Sequence, residues 1–216
     1  MKEITETDQI NKPDYRLPKG LRNSILSLII WAAFSNAATA SSVRTINLPE
    51  MTDSAGMVFY GKCLAVETSS SSGILAKRYS FQVIEALKGV EPSQVVSFQQ
   101  IDSSGSFRIP GVPVYQKGQE LLLFLYPDSR LGLTSPVGLG QGLFQPRQLP
   151  DGQVGFSNAY GNRNLSARLE QSAASELGLS EPQWSQLRSG NLISLAAMKE
   201  MVNQFSHFKT DDQGAK

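Results

Sequence analysis

The run Glu120-Leu-Leu-Leu-Phe-Leu-Tyr126 is the feature that most limits what this chain can become. Near-continuous apolar residues over a strand's length, entered through Lys117-Gly118, suit a central β-strand with both faces covered. Such a strand needs partners on either side and a layer over each face. The sequence around it supplies them: from Met57 to about Asn158 the chain reads as short β-prone runs broken by turn residues, with no helix-period pattern of useful length between them.

In the first run, Met57–Glu67, Phe59, Gly61, Cys63 and Ala65 share a face, and Gly61 marks a bulge or a close barrel approach. Thr68–Gly73 reads as a flexible hairpin connection. In Tyr79–Leu87, Tyr79, Phe81 and Val83 alternate with Ser80 and Gln82, so one face is buried and one is wet. Lys88-Gly89 ends that run, and Val95–Ile101 makes a third strand. Asp102–Pro113 is a Gly/Ser/Pro-rich loop of the length that often carries function. Two weaker strands are expected at Gln141–Gln145 and Gly152–Phe156, joined by a turn at Pro150-Asp151-Gly152. Beyond Asn164 the spacing turns helical, in Leu165–Leu177 and Leu192–Phe205. Leu195, Met198, Val202 and Phe205 form one stripe with Ser194 as N-cap, so this helix is expected to dock on the barrel.

Lys19 and Arg22, the apolar run Ile25–Phe34 and the small residues Asn36–Ala40 follow the order of a secretory signal. The apolar run is about half of the roughly 20 residues that a membrane-spanning helix needs. We therefore expect residues 1–40 to be a signal peptide and Ser41 the mature N-terminus, with the protein in the periplasm or outside a bacterial cell and no stable membrane span left. An uncleaved leader acting as a tether is the alternative. The polar stretch before Lys19 is long for such a leader, which leaves open a start nearer Leu17 or Leu21. Residues 41–216 are expected to form a single barrel domain with a helical segment at 165–206 and a polar tail.

The 216 residues carry 20 Lys plus Arg against 19 Asp plus Glu, a balance that gives no footprint for nucleic acid or for an acidic substrate. One cysteine, Cys63, excludes an internal disulfide framework and a multi-thiolate metal site. The one histidine, His207, sits in the polar tail, so the body of the fold has no imidazole for a triad, a metal cluster or a proton shuttle. No metal or cofactor is expected. Gly138-Leu-Gly-Gln-Gly142 has glycine spacing like a nucleotide loop but opens no helix to receive a phosphate. Without a base, Cys63 is expected to be a buried small hydrophobe. Serines at 69–72 and 103–106 lack a nucleophile elbow and read as loop solvation, while a Ser–Lys dyad stays open. Glu67, Glu85, Asp102 and Glu120 have no spacing that forces an acid–base pair. Asn164-Leu-Ser166 is a glycosylation sequon, which matters only in a eukaryotic secretory pathway.

The stretches Leu48-Pro-Glu-Met51, Met57–Lys62, Tyr79–Gly89, Val95–Phe98, Lys117–Leu125 and Gly140–Phe144 together resemble a group of uncharacterised secreted bacterial proteins, whose pattern is in turn similar to the netrin-like domain of the tissue inhibitors of metalloproteinases. The resemblance covers roughly Leu48 to Asn158. It implies a mainly β fold, an OB-type (netrin-like) five-stranded barrel with C-terminal helices. It also implies a protein partner, with a secreted metallopeptidase as one such partner. Those inhibitors chelate the catalytic zinc through a disulfide-held N-terminal cysteine. Here the expected terminus is Ser41, and residues 41–47 have little apolar content to order them, so no inhibitory residue carries over.

These readings converge on an exported, non-catalytic binding module acting through the rim loop, with Phe107, Arg108 and Ile109 as its contact residues. The alternatives are an envelope-anchored structural protein and a histidine-independent hydrolase.

Overall fold

Residues with alternating apolar side chains pair into strands in the computed structural model, which describes residues 44–104, 108–148 and 152–213. Met57–Ser71 (β1) and Ile74–Lys88 (β2) form a long antiparallel hairpin. The expected flexible connection at Thr68–Gly73 is strand except for Ser72 and Gly73, which turn the chain at φ of 50° and 81°. Serine's weak β preference is overridden by cross-strand pairing, with Ser69, Ser70 and Ser71 opposite Ala76, Leu75 and Ile74. A two-residue turn with both φ positive also matches the strands' twist.

Val95–Ile101 (β3), Glu120–Leu125 (β4), Leu143–Gln148 (β5), Val154–Asn158 (β6) and Ile193–Ser194 (β7) complete one seven-stranded sheet in the order β3-β2-β1-β4-β5-β6-β7. All neighbours run antiparallel, and the sheet curls into a half-barrel. Three register shifts bend β1, so that its first residues pair with β4 and its later ones with β2 alone. Gly61 sits at one shift. A Cβ there would lie 2.7 Å from the Gln82 carbonyl oxygen, which is the close approach the sequence implied.

The central strand β4 is fully buried from Leu121 to Leu125, and each of its faces belongs to a different core. Leu121, Leu123 and Leu125 join Phe59, Cys63, Tyr79, Phe81, Phe98 and Tyr115 in an aromatic core on one face. Leu122 and Phe124 join Tyr60, Phe144, Phe156 and the helices in a second core on the other face. Beyond β4 the chain returns to the edge of β3. Thr134 donates its N–H to the Gln99 carbonyl (2.8 Å) and its hydroxyl to the Tyr126 carbonyl (2.7 Å).

Leu48–Ser54 (α1) starts at Asn47, whose side chain accepts the Glu50 N–H. The helix expected over Leu165–Leu177 is reduced to Gln171–Glu176 (α2), because residues 159–168 are turns engaged in side-chain hydrogen bonds described below. Glu181–Ser189 (α3) was not anticipated. It opens with the Gln183 side chain accepting the Ser180 N–H (2.8 Å), and it buries Trp184 and Leu187. Leu195–Gln213 (α4) begins after Ser194, whose hydroxyl accepts the Ala197 N–H (3.2 Å), so the expected cap is present. Met198, Met201, Val202 and Phe205 are buried, and the backbone stays helical through most of the expected polar tail. The weaker strands also shift: Gln141 lies in a single 3₁₀ turn, Leu139–Gln141, ahead of β5. The mainly β class with C-terminal helices therefore holds. No helix among the described residues is long and apolar enough to cross a membrane. The expected signal peptide and the Pro150-Asp151 turn lie outside the described residues.

Candidate functional site: the rim loop and its groove

The Asp102–Pro113 loop leaves the end of β3 and is fixed at its neck by polar side chains. The Asp102 carboxylate accepts the Ser104 N–H (2.8 Å) and hydroxyl (2.6 Å), with the Lys77 ammonium 3.6 Å away. The Ser104 bonds, helped by Lys77, hold its carboxyl below the usual carboxylate range. Ser103 is buried, and its hydroxyl both accepts the Ile109 N–H (2.8 Å) and donates to the Ile109 carbonyl (3.2 Å), tying the two arms together. Gln100 donates to the Pro113 carbonyl (2.6 Å) and accepts from the Tyr115 hydroxyl (3.4 Å). Tyr115 in turn stands edge-on to Tyr79, Phe81 and Phe98 at centroid distances of 4.6, 5.6 and 5.9 Å. The loop's neck is thus anchored in the aromatic core that Tyr115 shares with β2 and β3.

Of the expected contact residues, Arg108 is exposed and has no ion-pair partner among the described residues, and Phe107 lies outside them. Ile109 was expected to be exposed and is half-buried, because Ser103 holds both of its backbone polar groups at the neck.

The loop's returning arm crosses the 3₁₀ turn, where a Cβ on Gly111 would lie 2.9 Å from Leu139 Cδ1. Beside it runs a groove of about 450 Å³, with apolar surface from Pro113, Val114 and Leu143 and polar surface from Gln145, Arg147 and Ser157. Its opening is written in the strand pairing. The β4–β5 ladder ends at Leu122–Phe144, and Pro146, the next residue on that side, has no N–H to continue it. Gly138 and Gly142 flank the one-turn 3₁₀ helix Leu139–Gln141 that leads into β5, and no α-helix starts there.

Beneath the groove lies an amide network that sequence reasoning missed. Asn158 donates to the Gln141 carbonyl and to Asn164 Oδ1 (both 2.9 Å), and its Oδ1 accepts the Tyr160 (3.0 Å) and Asn162 (3.1 Å) N–H groups. Asn162 donates to the Phe156 and Asn191 carbonyls, and Asn164 donates to the Ile46 carbonyl. Gln141 accepts the Ile46 N–H (2.8 Å) and donates to the Arg44 carbonyl (2.9 Å). Arg44–Asn47 is therefore fixed by hydrogen bonds, where its lack of apolar residues had suggested nothing to order it. Three asparagines at 158, 162 and 164 just after a strand were the available signal.

The other candidates do not assemble into a shared site. Cys63 is 1% exposed, its Sγ 3.6 Å from the Ala65 carbonyl, and burial pushes its thiol pKa up. Glu85 pairs with Lys199, Asp102 with Lys77, and Glu120 with Lys62 (3.7 Å), while Glu67 is exposed. Glu120 also accepts the Tyr60 hydroxyl (2.6 Å), which burial, and after it Glu120, pushes up to about 12. Ser194 lines a groove with Lys199 and Glu85. Its hydroxyl caps α4, and the lysine is engaged with the carboxylate. Among the described residues no group of three or more His, Cys, Asp or Glu side chains is placed to hold a metal ion. The chain matches no family model, no curated protein and no solved structure.

Proposed function

We propose that this chain, exported by the segment 1–40 and acting from Ser41 onward, is a non-catalytic binding module that holds a protein partner on the Asp102–Pro113 loop and the groove beside it. One observation carries the reading. One face of the sheet is covered by Phe59, Tyr79, Phe81, Phe98 and Tyr115, and the last of these anchors the loop, so that face is packed with side chains and the loop is braced at its neck. A loop fixed at its neck in this way has less to order on binding than one free at both arms. The netrin-like resemblance belongs to the same proposal. In it, β1 to β5 with the Tyr126–Ser135 return are the counterpart of an OB-type barrel, and a secreted metallopeptidase is one partner class. Inhibition through a chelating N-terminus is not part of the proposal, since Ser41 offers no thiol-anchored terminus.

The test is capture of envelope and medium proteins on immobilised residues 41–216. Phe107→Ala combined with Arg108→Glu is expected to weaken the specific partner about tenfold or more, the effect of losing roughly 1.4 kcal/mol at a contact centre. Glu67→Gln, on the exposed part of β1, should leave capture unchanged. Capture indifferent to the loop variant, or steady turnover of a captured substrate, would contradict the reading.

A further inference from the structure

We infer that the groove beside the rim loop receives an extended peptide segment carrying an apolar side chain and, about four residues further on, a carboxylate that Arg147 binds. The inference deepens the binding-module reading and rests on it. Leu143, Gln145 and Arg147 are alternate residues of β5 and all line the groove, so they share a face. At about 3.3 Å per residue, Leu143 and Arg147 stand about 13 Å apart, the span of four extended peptide residues.

The polar groups along that line are open. Arg147 is exposed and has no ion-pair or hydrogen-bond partner among the described residues. Its register partner on β6 is Gly155, so no side chain faces the guanidinium from across the ladder. Gln145 is also without a side-chain partner among the described residues, and it lies opposite Ser157. Val114, 47% exposed, and the half-buried Leu143 supply the apolar contact.

The backbone favours an extended occupant. The bond from the Phe124 N–H to the Gly142 carbonyl sets the phase of the β4–β5 ladder, in which the even-numbered residues of β5 turn their main-chain groups toward β4. Beyond Phe144 that side has no strand partner among the described residues, which leaves the Pro146 and Gln148 carbonyls facing the gap. A segment laid there can donate to them as a short added strand does. Charge then selects the class. Arg147 is the one charged side chain lining the groove among the described residues, too little for a polyphosphate backbone but a matched fork for one carboxylate.

The probes are two fluorescent pentapeptide amides, Val-Thr-Ser-Thr-Glu and the same sequence ending in Gln, read by anisotropy against residues 41–216. The Glu peptide is expected to bind at least tenfold more tightly. Arg147→Gln should abolish that preference without changing the melting temperature, and Arg147→Lys should retain only part of it. Val114→Asp should weaken both peptides. Equal binding of the two peptides, no binding of either, or a preference that survives Arg147→Gln would overturn the inference. If the peptides fail while partner capture still depends on Phe107 and Arg108, the peptide chemistry is wrong and the module reading stands. If the peptides behave as expected while capture ignores the loop, the groove chemistry stands and the loop reading falls.

Discussion

A chain ending at Ile193 is expected not to fold. That cut removes α4 and with it Met198, Met201 and Val202, each fully buried, and Phe205, which is 5% exposed. At about 1.5–3 kcal/mol per buried side chain, the loss is comparable with the whole stability of a typical domain, about 5–15 kcal/mol. It also uncovers α1 and the core on the helix-bearing face of the sheet, since α4 packs against α1, β2 and β6. Far-UV circular dichroism should show a chain without a cooperative melt. Met201→Ala gives a graded version, with an expected loss of about 2–5 kcal/mol. A truncated chain that melts cooperatively within a few degrees of the parent would show that the sheet stands without this helix.

Asn158→Ala is expected to be the most damaging single polar substitution, at about 3–5 kcal/mol. The side chain uses both donors and accepts two backbone N–H groups while only 7% exposed. Truncation strands those partners away from water, and each unsatisfied buried group costs about 1–3 kcal/mol, with partial relief if water enters. Asn158→Asp keeps the shape but points oxygens at the Gln141 carbonyl and Asn164 Oδ1, so it should be no milder. Urea unfolding measures both. A loss under about 1 kcal/mol for either variant would mean that the network adds little. Because Asn158 also ties Gln141 and Asn164, and through them Arg44–Asn47, partial unfolding of the N-terminal segment should accompany the loss.

What was legible in the sequence was whatever depended on local period. The run at Leu121–Leu125 announced a strand covered on both faces, and it is one. The alternation of Tyr79, Phe81 and Val83, the close approach at Gly61, the burial of Cys63 and the stripe of α4 behind Ser194 follow from the same logic. What escaped depended on partners far away in the chain. Ser69–Ser71 look like loop until they are paired with Ile74–Ala76. α3 is short and buries two apolar side chains, too few to give a period, although its Ser180–Gln183 cap and Pro182 were in view. Asn158, Asn162 and Asn164 read as turn residues, since nothing local reveals that their amides close on Gln141 and Arg44. The rim loop was visible as a Gly/Ser/Pro stretch, but the direction of Ile109 was set by Ser103 six residues earlier. The groove needed the β4–β5 register before Pro146 could be seen to end it.

The most direct measurement is hydrogen–deuterium exchange of residues 41–216, free and loaded with the partner captured on them. The account predicts slowed exchange confined to the segments 108–119 and 143–148, with β2 unchanged because its amides already sit in the ladders with β1 and β3. Protection centred instead on the Glu85–Lys199–Ser194 groove, or none at the loop, would contradict it.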